Sequence, residues 1–267
     1  MGYKKGQLSE SLKIGLAVLY AFSSTQPVLG IAEIADLIKM SRSTTHRYVI
    51  TLVALGFLEQ GASRKYHLGL GVADIGMSAL DSTGLRGPSL PYLADLRQRI
   101  GYTVSLALLD GPEIVYAARA YSHRRGQYAA DVGRTVGSRV PASCTAMGKV
   151  LVAGLPDKER RKWIQTIELT RSGPNAIVKK GVLAAELERV GREGFAVNDR
   201  ELVAGMVAVA VPLRNGDTVK AAIGVAANAA VIAASELADA CRDDLIATVS
   251  ELGSHLGYKP PTKRSMR

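Results

Sequence analysis

Gly148 and Lys149 lie together in SCTAMGKVLV, a pair that in a phosphate-binding loop would cradle an anion between backbone amides and an ammonium. That loop needs glycine five residues earlier and serine or threonine after the lysine. Ser143 and Val150 hold those places, so the phosphate reading fails. Cys144 has the chemistry of a nucleophile and His123 that of its base, but a lone cysteine in an apolar helical stretch is ordinarily packing. No GxSxG elbow or HExxH pair is present, and His46, His67, His123 and His255 are scattered. Neither Cys144 nor Cys241 belongs to a CxxC pair, so both are expected to be reduced. We therefore expect no catalysis, no metal and no cofactor.

The residues with a clearer chemistry are those suited to nucleic acid. The chain of 267 residues carries a net charge of +10, which favours an acidic partner. Only +3 of it falls in the first 80 residues and +7 in the rest, so pattern rather than charge must locate the contact. In SRSTTHRYVITLVALGF, Ser41 stands as a helix N-cap, and Tyr48, Leu52 and Leu55 form one stripe before Gly56. Ser43 and His46 fall opposite that stripe, with Arg42 and Arg47 beside them, giving a small, polar, basic face suited to a major groove. Arg64 and Lys65, near the tip of the strand pair read in FLEQGASRKYHLG, would touch phosphate or minor groove.

Other elements must position that face. SLKIGLAVLYAFSS places Leu12, Leu16 and Leu19 at helical spacing, and IAEIADLIKM does the same with Ile31, Ile34, Ala35 and Ile38. Three helices and a basic hairpin make a winged helix-turn-helix over residues 8–67. A helix over 68–84, striped by Leu68, Val72, Ile75 and Ala79, links it to a second domain at 85–257, with a basic tail at 258–267. One apolar stripe on a linker needs cover, and a two-fold mate would provide it, as would packing within the chain. The second domain alternates runs of helix with hairpin-connected strands, around a long loop at 122–139. It reads as α+β with a mostly antiparallel sheet, able to enclose a small-molecule pocket.

These pieces together resemble the isocitrate-lyase-regulator (IclR) family of bacterial transcription factors. The likeness rests on SLKIGLAVL, SRSTTHRYV, PASCTAMGKVLVAG, GFAVNDRELVAGMVAVAVPL and AAIGVAAN, in that order, and covers about Leu8 to Gly257. VGSRVPASCTAMGKVLVAG and YLADLRQRIGYTVSLALLDG look most like the branch that controls aromatic-acid degradation through the β-ketoadipate pathway. The resemblance implies a dimerising linker helix, a GAF-like effector domain that binds a small organic acid, and a homodimer, in many members a dimer of dimers, on a palindromic operator. It also implies an effector site at Ala146, Met147, Asn198, Met206, Ala208, Gly224 and Ala226. Glyoxylate- and pyruvate-sensing relatives have an acidic residue at Asn198 and serines at Gly224 and Ala226. The replacements here imply a roomier, less polar cavity for an aromatic or dicarboxylic acid.

An acid effector needs its carboxylate held, and the candidates are Arg134, Arg139 and the amides of a helix starting after Pro141. Three rivals stay open: a second domain used only for oligomerisation or protein contact, a sensor of glyoxylate or pyruvate, and an enzyme with an accessory DNA-binding module. Ala221 to Ala234 is too short for a membrane span, and the N-terminus has no apolar signal core, so a soluble, cytoplasmic protein is expected.

Overall fold

The computed structural model describes residues 7–23, 25–122 and 134–261. The chain divides into two compact units, one ending at Ser82 and the other beginning at Thr83.

In the first unit, α1 (Glu10–Tyr20), α2 (Ile31–Ile38) and α3 (Arg42–Ala54) precede the antiparallel pair β1 (Leu58–Gln60) and β2 (Tyr66–Leu68), and α4 (Gly71–Asp81) follows. Val18, Phe22, Leu29, Ile34, Val49, Leu52, Leu58 and Tyr66 form the core. Leu29 bridges Tyr66, so the wing strands are anchored to the turn between α1 and α2. A tight reversal joins α2 to α3. Lys39 takes a left-handed conformation (φ 56°), and Ser41 then caps α3, its hydroxyl accepting from the Thr44 amide at 3.2 Å.

Three of the helical stripes read from sequence are corrected here. In α1, Leu12 is 64% exposed and Leu16 also faces outward. The inward side runs instead through Gly15, Val18, Leu19 and Phe22, with Gly15 giving Tyr48 room to approach. In α3, Leu55 is 61% exposed and the buried stripe is Thr45, Val49 and Leu52. Leu68 belongs to β2, paired with Leu58, so the linker helix starts later than its stripe suggested. No residue of α4 is buried.

The second unit is an antiparallel sheet of six strands in the order β5-β4-β3-β8-β7-β6. Its strands are β3 (Thr103–Asp110), β4 (Glu113–Ala120), β5 (Arg139–Pro141), β6 (Ala196–Asp199), β7 (Met206–Asn215) and β8 (Thr218–Asn228). α5 (Arg86–Ile100) and α9 (Ala234–His255) pack on each other and on the sheet. The face that includes Ala107, Ala210 and Ala222 is covered by α6 (Ala146–Ala153), with α7 (Asp157–Thr166) and α8 (Lys180–Glu193) around it.

Two local readings change. The long loop read over 122–139 does not run to its last residue: Arg139–Pro141 form the edge strand β5 against β4. The helix read from Ser143 is broken: Ala142–Cys144 form one 3-10 turn, and Thr145 is extended before α6 begins. Among the described residues no helix is long and apolar enough to cross a membrane.

Candidate DNA-binding helix and effector pocket

On α3, Arg42, Ser43, His46, Arg47 and Ile50 are all exposed, while Thr45, Val49 and Leu52 fix the opposite side in the core. Arg42, His46 and Arg47 have no ion-pair partner among the described residues. Ser43 is partly engaged by the cap, its hydroxyl lying 3.2 Å from that of Ser41. The helix thus presents two guanidiniums without ion-pair partners among the described residues, an imidazole and a small hydroxyl toward its N-terminal end, the end that a recognition helix directs at base edges.

The wing pair divides. Arg64 is exposed on the turn, in a left-handed conformation (φ 57°). Lys65 turns back to α2, where its ammonium sits 3.1 Å from the Glu33 carboxylate. That carboxylate also accepts the Gly30 amide at 2.6 Å, and these two bonds, the amide first, hold its pKa below the usual range. Lys65 therefore closes the first unit on itself, and Arg64 is the freer cation.

The second unit holds a small cavity between α6 and the sheet. Ala146, Met147, Met206, Ala208, Gly224 and Ala226 line it, joined by Ser105, Tyr116, Arg119 and Thr145. Its volume is about 20 Å³, room for roughly one water. The roominess expected from Gly224 is absent because Met147 has taken the space. A Cβ placed on Gly224 would stand 2.8 Å from Met147 Cγ.

Three residues expected in this site are not among those that line the cavity. Arg139, on the edge strand, pairs with Asp110 and with Glu113 at 3.0 Å, which raise its pKa, Asp110 foremost. Arg134 supplies its backbone oxygen, which accepts from Arg119 Nη1 and from the Tyr121 hydroxyl, each at 3.2 Å. Asn198 is 0% exposed and acts as a joint. Its Nδ2 donates to the Cys144 carbonyl, and its Oδ1 accepts the Glu201 amide at 3.3 Å. The helix N-terminus proposed as an anion cradle is partly used, since the Gly148 amide donates to Thr145 Oγ1 at 3.0 Å.

The cation that does line the cavity is Arg119, which sequence reasoning passed over. It is 8% exposed, stacked 4.4 Å over the Tyr116 ring and 5.2 Å over that of Tyr121. Strand register explains its aim. Arg119 pairs with Ser105, Ser105 with Gly224, and Gly224 with Ala210, so all four share one row across β4, β3, β8 and β7. A guanidinium at one end of a row of small residues can fix a carboxylate while an apolar body lies along the row.

Behind the cavity, Lys149 is buried, 2% exposed. Its ammonium donates to the Val197 carbonyl and to Glu201 at 2.6 Å each, and to Glu186 at 3.1 Å. Burial pushes the Glu201 carboxyl above the usual range against the pull of Lys149, and its Oε2 has no hydrogen-bond partner among the described residues. Cys144 is buried, with its thiol pKa raised chiefly by desolvation, the reverse of what a nucleophile needs. His123, its suggested base, lies outside the described residues.

Two family models match the chain: the IclR helix-turn-helix domain over residues 11–62 and the bacterial transcriptional regulator IclR C-terminal domain over residues 77–253. The Pca regulon regulatory protein of Pseudomonas putida is 32% identical over 85% of this chain and 77% of its own. The p-hydroxybenzoate hydroxylase transcriptional activator of Acinetobacter baylyi is 30% identical over 75% of this chain and 74% of its own. The crystal structure of a putative transcriptional regulator from Rhodococcus sp. RHA1 superposes with a TM-score of 0.82 at 31% identity, covering 94% of this chain and 99% of that one.

Proposed function

The chain belongs to the IclR family of bacterial transcriptional regulators, and we propose that it senses an aromatic carboxylic acid in the cavity under α6. The family consists of DNA-binding regulators with a small-molecule effector domain, which sets the enzymatic reading aside. The observation that carries the choice of ligand is the row Arg119, Ser105, Gly224, Ala210: a buried cation at one end and a floor without bulky side chains at the other. The names of the two curated relatives, one tied to a Pca regulon and the other to p-hydroxybenzoate hydroxylase, support the same class.

DNA is engaged by α3, with Ser43, His46 and Arg47 toward base edges and Arg42 and Arg64 toward phosphate. Lys65 contributes less, because Glu33 offsets its charge. The protein works as a homodimer on a palindromic operator. Leu12, Leu16 and Tyr20 on α1, and Ile75 on the wholly unburied α4, are apolar surface that a second copy would cover.

Titration calorimetry with protocatechuate, 4-hydroxybenzoate, β-ketoadipate and short oxo-acids tests the sensor. Binding of an aromatic acid, lost on Arg119→Gln, is expected. Silence across the panel would leave a domain used only for assembly.

A further inference from the structure

The sensor reading leaves open how a ring enters a cavity of about 20 Å³. Ligand sites run upward from roughly 300 Å³, so some wall must give. The sheet floor is fixed by its ladder, with Gly224 paired between Ser105 and Ala210. The α6 backbone is fixed as well. Asn198 holds the Cys144 carbonyl just before it, and Lys149 ties its middle to Val197, Glu186 and Glu201. Any side chain on Gly148 would overlap the Ala142 backbone, and any on Gly154 would overlap Val219, so both ends of the helix press directly on their neighbours. Lifting α6 would break a buried ion cluster together with the close packing of Gly148 on the Ala142 backbone and of Gly154 on the Val219 side chain.

One wall is held by nothing comparable. Met147 reaches over Gly224 with an unbranched side chain whose three rotatable bonds can swing without disturbing the helix. We propose that the Met147 side chain is a plug which the effector displaces, and that its bulk selects which acids the cavity admits. This rests on the sensor reading. The slot it occupies is floored by Gly224 and Ala210 in one row and by Ala226 and Ala208 in the next, a nearly flat surface. A planar ring fits such a slot better than a branched chain. Arg119 stands two strands away from Gly224, roughly 10 Å between backbones, a span that its own side chain and a ring-borne carboxylate bridge together. A short oxo-acid spans less of that row than a ring-borne carboxylate, so removing the plug should favour it less.

The test is calorimetry of 4-hydroxybenzoate and pyruvate on the wild-type chain, Met147→Ala, Gly224→Ser and the double variant, with thermal melts to confirm folding. Met147→Ala is expected to bind 4-hydroxybenzoate roughly tenfold more tightly, since no plug must be displaced, and to tighten pyruvate by a smaller factor. Gly224→Ser, which crowds Met147 and also the Val209 carbonyl, should melt lower, and the double variant should recover part of that loss. In a methyl-labelled sample, the Met147 resonance should move on adding 4-hydroxybenzoate. Wild-type binding that Met147→Ala leaves unchanged or weakens, or a Met147 methyl unmoved by a bound ring, overturns the plug while the sensor stands. No acid of the wider panel binding either the wild type or Met147→Ala overturns the sensor reading itself.

Discussion

Lys149 is an expensive residue to place in a protein interior, and its three acceptors explain how the cost is met. Removing the cation leaves the buried Glu201 carboxyl without its counter-ion and still facing Glu186, so Lys149→Met should cost about 3–5 kcal/mol in urea denaturation, much of it regained in Lys149→Met with Glu201→Leu. Glu201 adds a dependence on pH. Its carboxyl is pushed up in the fold by burial, so the folded chain holds a proton that the unfolded chain has already released. Stability therefore falls as pH rises from the ordinary glutamate range through the raised value. Glu201→Gln should flatten that part of a stability-against-pH curve. None of this was legible in GKVL, where Lys149 could be read only as a failed phosphate motif. Arg119 was hidden for a similar reason: AARAY does not reveal its cross-strand partners, and only the register sets it opposite Ser105 and Gly224.

Among the elements, α3 was legible through its cap and its polar face, Ser41 standing ahead of thirteen helical residues, while its buried stripe runs through Thr45, Val49 and Leu52 rather than Tyr48, Leu52 and Leu55. Replacing Ser43 or Arg47 by Ala should cost roughly 1–3 kcal/mol of operator affinity and relax specificity at one base pair. Arg64→Ala should weaken all duplexes alike and reduce the salt slope by about one, Lys65→Ala by less. Gel-shift titrations over a salt series separate the two behaviours. Helix α1 was misread because it is apolar on most sides, and periodicity cannot choose a face when a glycine occupies the buried one. The edge strand β5 was missed because three residues, one of them proline, carry too short a pattern to register. If α4 meets its counterpart in a second copy, Ile75→Glu should shift the mass measured by light scattering toward the monomer without lowering effector binding.

At the level of the molecule, the sequence pattern changes near residue 84, and the first compact unit ends at Ser82. The greater share of the positive charge lies beyond the first 80 residues, so effector-domain electrostatics should also contribute to the salt dependence of binding. Linkage between the two units makes a reciprocal demand. Whatever factor the acid imposes on operator affinity, operator must impose on acid affinity, which calorimetry of the acid with and without a saturating duplex measures directly.

The Asn198 carboxamide gives a proton to one neighbour and takes one from another, which a carboxylate cannot do. Asn198→Asp would set a negative oxygen against the Cys144 carbonyl, at the hinge from which the cavity-lining helix starts. Redesign of this regulator toward smaller acids therefore cannot begin with that exchange alone; the carbonyl it strands must first be given another donor.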